Sequence, residues 1–233
     1  MQLFYSPDVS GEFYEFPEEE SRHIVKVLRL KKGDMVNITD GKGNIFSGEI
    51  TEADQKHCKV NIQSRQTNVG KRGFGVHIAI APTKNIKRFE WFLEKSTEIG
   101  IDRITPLKCK HSERDQIRRD RLERVISAAM KQSLKAYHPV LEEMKDFQTY
   151  IEEEIDSNKY IAMSDDTPKP HLKNIVPKGQ DVSIIIGPEG DFHEKEKEEA
   201  IKMGFQAVSI GESRLRTETA GVVACHIVHL LNA

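Results

Sequence analysis

The hydrophobic rhythm of this chain changes about a third of the way along. Up to residue 66, short apolar runs alternate with turn residues. "QLFY", "MVNITD", "IFSGEI" and "HCKVNIQ" each read as a strand, and "DGKGN" at Asp40–Asn44 reads as a hairpin turn. Between the first two runs lies "PEEESRHIVKVLRL", a helical pattern. Pro17 suits its first turn, Glu18, Glu19 and Glu20 favour the positive end of the dipole, and Ile24, Val27 and Leu28 share a face. Closely spaced strands of this kind predict a small barrel. The Gly-rich, basic stretch "QTNVGKRGFG" then marks a boundary, giving one domain over 1–70 and a second over 71–233.

From Val76 strands and helices alternate. "VHIAIAP", "IDRITPL", "KYIAMSD", "DVSIIIGPEGDF" and "FQAVSIG" predict strands, several of them apolar without alternation. Helices are predicted between them. "NIKRFEWFLEKSTEIG" turns Phe89, Phe92, Leu93 and Ile99 inward, with Gly100 closing it. "RDQIRRDRLERVISAAMKQSL" carries a stripe of Ile117, Leu122, Val125, Ile126, Ala129 and Met130. "FQTYIEEEI" and "HEKEKEEAIKMG" are shorter, and the last helix runs from Thr217 to Leu231. Together these predict an α/β fold with a parallel sheet covered on both faces. The charge run Glu194–Glu199 reads as a solvated helix face, and Phe89, Trp91 and Phe92 read as core. The last helix is apolar nearly all round, which predicts burial by the core alone or by the core and a second subunit.

Hydrophobic residues at 37% and charged residues at 31% describe a soluble globular protein, and no apolar run approaches a membrane span. The acidic N-terminus lacks the features of a signal peptide. Cys58, Cys109 and Cys225 are scattered, with no CxxC pair and no His at metal spacing. Buried thiols in a reducing cytoplasm are expected, with no disulfide, metal or membrane partner. A net charge of −2 means that any nucleic-acid site is a local patch. Arg22, His23, Lys26, Arg29, Lys31 and Lys32 form one candidate, with 22, 26 and 29 on one helical face. Lys84, Lys87 and Arg88 form another, at a helix N-terminus where cations oppose the dipole and an anionic ligand would offset that cost. In "RRDRLER", Asp120 and Glu123 interleave the arginines, so an ion-paired surface is expected.

Ligands of open parallel sheets gather beyond the carboxyl ends of the strands. "IIIGPEGDF" places Gly187 and Gly190 around Pro188 and Glu189 at such an end. Alone it reads as an ordinary turn; it lacks both the GK[ST] of a phosphate loop and the GxGxxG of a dinucleotide site. "SIGESRLRTETA" sets Arg214, Arg216, Thr217 and Glu218 before the apolar helix. Thr217 as N-cap and Glu218 in the first turn fit a capping role, which leaves the two arginines unexplained.

Taken in order, "RHIVKVLRLKKGD", "KRFEWFLEKSTEIGIDRITPL", "IIIGPEGDF" and "SIGESRLRTETA" closely resemble the bacterial 16S ribosomal RNA (uracil-N3)-methyltransferases of the SPOUT superfamily, over nearly the whole chain. That resemblance implies an N-terminal PUA-like β-barrel that helps hold RNA and a SPOUT α/β domain whose last segment is threaded into a trefoil knot. It implies a homodimer that binds S-adenosyl-L-methionine and methylates N3 of one uridine in the decoding region of 16S rRNA, within the small ribosomal subunit. Carried onto this chain, the cofactor cradle comprises Ile186, Gly187, Pro188, Glu189 and Gly190, then Ser209, Ile210 and Gly211, then Leu215, Arg216 and Thr217. Gln132 joins Arg22, His23, Lys26, Arg29, Lys84 and Arg88 as a candidate RNA contact.

Loops of Gly, Ile and Leu supply the apolar walls and backbone donors that an adenosyl group needs, and a sulfonium requires no metal to donate its methyl. Uracil N3 carries a proton at neutral pH. Glu218 or Glu189 could accept it, and Arg216 could offset charge growing on O2 or O4. Because N3 lies on the Watson–Crick edge, the uridine must be unpaired. The chain departs from the family pattern at Lys110 and His111, at Leu134 and Lys135, and at Asp191, where a third glycine is frequent. Rival readings are a SPOUT ribose 2′-O-methyltransferase acting on tRNA and a non-catalytic RNA-binding assembly factor. An unrelated nucleotide-binding enzyme is disfavoured by the missing phosphate loop.

Overall fold

Strand amphipathicity organises the first part of the chain. In the computed structural model, which describes every residue except Met1 and Asp166, β1 (Leu3–Tyr5), β2 (Phe13–Glu15), β3 (Met35–Thr39), β4 (Ile45–Glu52) and β5 (Lys59–Gln66) form a curled five-stranded sheet. Their spatial order is β1-β3-β4-β5-β2, with β1 parallel to β3 and the other pairs antiparallel. Its core holds Phe4, Phe16, Ile24, Ile38, Ile50 and Val60. The Asp40–Asn44 turn is closed by Asp40 Oδ1, which accepts the N–H groups of Lys42 (2.8 Å) and Asn44 (3.2 Å).

The helix over these strands differs from its expected form. Pro17 is the N-cap, α1 spans Glu18–Arg22, and the chain then winds more widely as a π-helix over His23–Val27. Extra residues in that turn rotate the side chains that follow. Val27 is 63% exposed while Ile24 is fully buried, so the predicted Ile24–Val27–Leu28 face does not form. Arg29 has φ 58 and lies beyond the helix, so 22, 26 and 29 do not share a helical face either.

The remaining strands are parallel throughout. They are β6 (Val76–Ile80), β7 (Arg103–Lys108), β8 (Val140–Leu141), β9 (Lys145–Asp146), β10 (Asn158–Ala162), β11 (Val182–Ile186) and β12 (Gln206–Val208). The order is β12-β10-β11-β6-β7-β8, with β9 also paired to β7. Ile78 and Ile80 of β6 and Ile184 and Ile186 of β11 face α2 (Ile86–Ile99), α3 (Arg119–Gln132) and α6 (Thr217–Leu231). The intervening Ala79 and Ile185 face α4 (Phe147–Glu152) and α5 (Glu194–Lys202). Burial on both faces is why these strands show no alternation.

By contacts the chain divides into two units. One comprises Met1–Lys71 with Met130–His138, the other Arg72–Ala129 with Pro139–Ala233, and the division falls inside α3. That helix starts at Arg119, later than its sequence pattern suggests. Arg114 donates to the carbonyls of Thr83 (3.3 Å) and Lys84 (2.8 Å), which holds the preceding segment against another loop, and Ile117 packs on the core from outside the helix. Gly100 closes α2 at φ 128. Phe89 and Phe92 are buried, but Trp91 is 42% exposed; a residue two places from Phe89 cannot share its face. All three cysteines are buried thiols. The arginines of α3 are ion-paired, Arg119 with Glu123, Arg121 with Glu90 and Arg124 with Asp120.

Two predictions concern this core. A Cβ on Gly221 of α6 would lie 2.6 Å from the Phe92 ring and 2.9 Å from Ile80 Cδ1. Gly221→Ala is therefore expected to lower stability by about 1–2 kcal/mol, overpacking outweighing the gain in helix propensity; the shift in urea midpoint measures it. His77 lies between Thr105 Oγ1 (2.8 Å) and Ser183 Oγ (3.2 Å), and burial, helped by Arg103 and Lys145, pushes its pKa from 6.5 down to about 3. Between these values the unfolded chain binds a proton that the folded chain refuses. Stability contributed by His77 is present above pH 6.5 and is lost as pH falls toward 3. In that window His77→Gln should flatten the pH dependence by up to about 1.4 kcal/mol per pH unit, read from urea titrations at stepped pH.

Candidate active site

Because β12, β10 and β11 lie side by side, the chain leaves all three at the same end of the sheet. The loops that follow them line one cleft of about 590 Å³. Ile186, Gly187, Pro188 and Glu189 come from the second loop and Ser209, Ile210 and Gly211 from the third, with Leu215, Arg216 and Thr217 at the mouth of α6. All ten therefore meet as the sequence suggests. Gly190 does not line the cleft; a Cβ there would lie 3.5 Å from His111. The middle wall, Met163, Ser164, Asp165 and Lys169, has no counterpart among the predicted residues, since its loop carries no glycine motif.

Local causes set each wall. At Gly187 an added Cβ would be 3.0 Å from the Phe192 ring, so glycine allows that ring to fold beneath the loop. Ser209 forms a parallel bridge with His171, donating its N–H to Pro170 O (2.9 Å) and accepting from Leu172 N–H at 2.8 Å. The N-cap of α6 is Arg216 rather than Thr217, with no side-chain cap; Thr217 is the first helical residue and is buried.

The expected carboxylates separate. Glu189 is exposed on the cleft, and its Oε1 accepts the N–H of Lys84 (2.9 Å). Arg114 grips the carbonyls of the same segment, so the 83–85 turn is held from both sides. Glu218 does not line the cleft. It is buried, its Oε1 lies 3.8 Å from Arg88 Nε, and its Oε2 has no hydrogen-bond partner among the described residues. Arg216 and Glu189 thus share the cleft and Glu218 does not.

Of the candidate RNA contacts, Arg22, His23, Lys26, Arg29 and Gln132 are exposed on the first unit, where Arg22 pairs with Glu18 at 2.7 Å. Lys84 and Arg88 belong to the second unit, and Lys84 pairs with Glu113 at 3.4 Å. The run Glu194–Glu199 is not wholly solvated. Lys197 is 7% exposed and turns inward to Asp165, Asp191 and Glu194. Among the described residues, no group of three or more His, Cys, Asp or Glu is placed to hold a metal ion.

Comparison with known proteins adds an independent line. Residues 71–229 match a family model described as an RNA methyltransferase domain, and residues 16–63 match an RNA methyltransferase PUA domain. The chain is similar to the ribosomal RNA small subunit methyltransferase E of Mesomycoplasma hyopneumoniae, with 30% identity over 95% of this chain and 96% of that one. It is similar in structure to a probable rRNA-methyltransferase from Porphyromonas gingivalis, at 43% identity and a TM-score of 0.93 over 100% and 98% of the two chains. A Legionella pneumophila protein solved in complex with the bound cofactor SAM aligns at 26% identity and a TM-score of 0.88 over 99% and 97%.

Arg88 is the cation facing the buried Glu218, so Arg88→Ala should leave that carboxylate uncompensated. Losing a partner in a fully buried pair costs roughly 3–5 kcal/mol; with much of Arg88 in solvent, about 1–2 kcal/mol is expected. Adding Glu218→Gln should recover most of it in chemical denaturation.

Proposed function

This chain belongs to the RNA methyltransferase family that contains the ribosomal RNA small subunit methyltransferases E, and on that premise we propose that it transfers a methyl group from S-adenosyl-L-methionine to N3 of a uridine in the decoding region of 16S rRNA. The observation that carries this reading is the convergence of three strand-end loops on one cleft. Its walls combine Ala162, Ile186, Pro188, Ile210 and Leu215 with backbone polar groups and Ser209, a lining suited to a flat apolar base and a few oriented hydrogen bonds. When bound there, the cofactor supplies an electrophilic methyl group on a sulfonium.

The chain's own residues do the rest. The apolar walls would pack the donor and hold it in line with the acceptor. Arg216, which lines the cleft, would offset negative charge growing on the uracil oxygens. Glu189 commits one oxygen to Lys84 N–H and leaves the other for the N3 proton, directly or through water. Glu218, buried beside Arg88, serves better as that arginine's anchor than as a proton acceptor. Arg22, His23, Lys26 and Arg29 on the first domain, with Lys84, Arg88 and Gln132 on the second, would contact the RNA. We take residues 1–70 and 71–233 as the two domains, and the last segment of the chain as the one threaded into a trefoil knot. A homodimer in the cytoplasm completes the reading: Leu230 is 64% exposed, Val223 and Ile227 are half-buried, and exposed Trp91 lies on α2, against which α6 packs.

Calorimetry with S-adenosylmethionine, followed by labelled-methyl transfer to small subunits from cells lacking the protein, tests this directly. Binding, with label at N3 by mass spectrometry, is expected. No binding by a folded protein, or label on a ribose 2′-oxygen, would overturn it. Arg216→Ala should lower kcat by about 10²-fold while cofactor affinity stays within about threefold, as for loss of one charge-stabilising donor; unchanged turnover rejects its role.

A further inference from the structure

One buried lysine joins two loops of the cleft. Lys197 projects from α5 and does not itself line the cleft. Its ammonium lies 3.1 Å from Asp165 Oδ2, 3.5 Å from Asp191 Oδ2 and 3.0 Å from Glu194 Oε1. Asp165 follows β10 and Asp191 follows β11, and both line the cleft. Further bonds tighten the circuit. Ser164 Oγ donates to Asp191 Oδ2 (2.9 Å), Lys169 Nζ donates to Asp165 Oδ1 (2.8 Å), and Asp191 Oδ1 accepts Phe192 N–H (2.8 Å).

Two physical features set this cluster apart from a surface ion pair. Asp191 is held at φ 62, the left-handed region that glycine occupies without strain and that Asp occupies at some cost. The chain keeps a side chain where none would be conformationally easier, and that side chain reaches Ser164 and Lys197. Charge is also secured at both poles. The Lys169 hydrogen bond holds the Asp165 carboxyl well below the usual carboxylate range, against burial and with help from Lys197. Burial pulls the Lys197 ammonium down, but Glu194, Asp165 and Asp191 outweigh it and leave it above the ordinary lysine range.

We propose that Lys197 is a positioning residue for the methyl-donor site, fixing the two loops against each other before the donor arrives. This rests on the reading that the cleft holds S-adenosylmethionine. Loops ordered in the free protein need less ordering on binding, so affinity depends on this lysine more than the transfer step does. Without it, Asp165 and Asp191 lose the cation they share and repel one another.

Lys197→Met, Lys197→Arg and Asp191→Asn, each checked by thermal melting, test the proposal through S-adenosylmethionine calorimetry and steady-state methyl transfer. Lys197→Met should raise the Kd and KM for S-adenosylmethionine by about tenfold or more, with kcat at saturating donor within about threefold and the KM for RNA unchanged. Lys197→Arg should restore affinity to within about threefold, and Lys197→Met/Asp191→Asn should bind no more weakly than Lys197→Met alone, since both act through one contact. If Lys197→Met does not fold, Asp191→Asn carries the test, with a severalfold weaker Kd expected. Unchanged donor affinity in the folded variants, or a fall in kcat with Kd unaltered, would overturn the proposal. A wild-type protein that bound no donor would remove the methyl-donor reading and this one with it; normal wild-type binding with an indifferent Lys197→Met would sink this one alone.

Discussion

The last helix can lie against the sheet because nothing projects from Gly221. The Phe92 ring and Ile80 fill the space its side chain would need, and that close approach carries Ala224, Cys225 and Val228 into the core. Burying a ring such as Phe92 is worth roughly 1.5–3 kcal/mol, so the seat of α6 is tightly specified. Once α6 is seated, its first turn is fixed in space. The chain between Val208 and Thr217 must then pass over the ends of the neighbouring strands, which is where the cleft lies.

Strand order makes the rest of the site. β10 lies between β11 and β12, so loops distant in sequence leave adjacent strands at the same end. A parallel sheet buried on both faces leaves few other places where backbone groups can meet a ligand, because its strands are covered by helices. The glycine motif and the polar segment before α6 are therefore two walls of one cleft, and the Met163–Asp165 loop is the wall between strands that carries no motif of its own.

Carboxylates around the cleft show how environment assigns different work to the same group. Glu189 is solvated and holds a backbone N–H; Glu218 is buried at the start of a helix, 3.8 Å from Arg88; Asp165 is clasped by two lysines. Of the three, only Glu189 is exposed on the cleft, whereas the other two are held in structural contacts.

Much of this was legible in the sequence. The β-rich start, the change of pattern near residue 70, the parallel sheet and the bounds Thr217–Leu231 follow from local rules of periodicity and turn chemistry, whereas the ten cleft residues named in advance come from the family resemblance. What local rules misread were features set by distant partners. Trp91 looks like core but is turned out by the phase of its helix; at the π-turn Val27 leaves the expected apolar face and Arg29 the expected basic one; Thr217 yields the cap to Arg216. Lys197 looks like one charge in a solvated run, and only the folded chain brings Asp165 and Asp191 to it. Periodicity reports which side of an element is apolar, since that depends on neighbours along the chain. Which charge meets which is decided by contacts between loops far apart in sequence, and these exist only once the sheet has set its strand order.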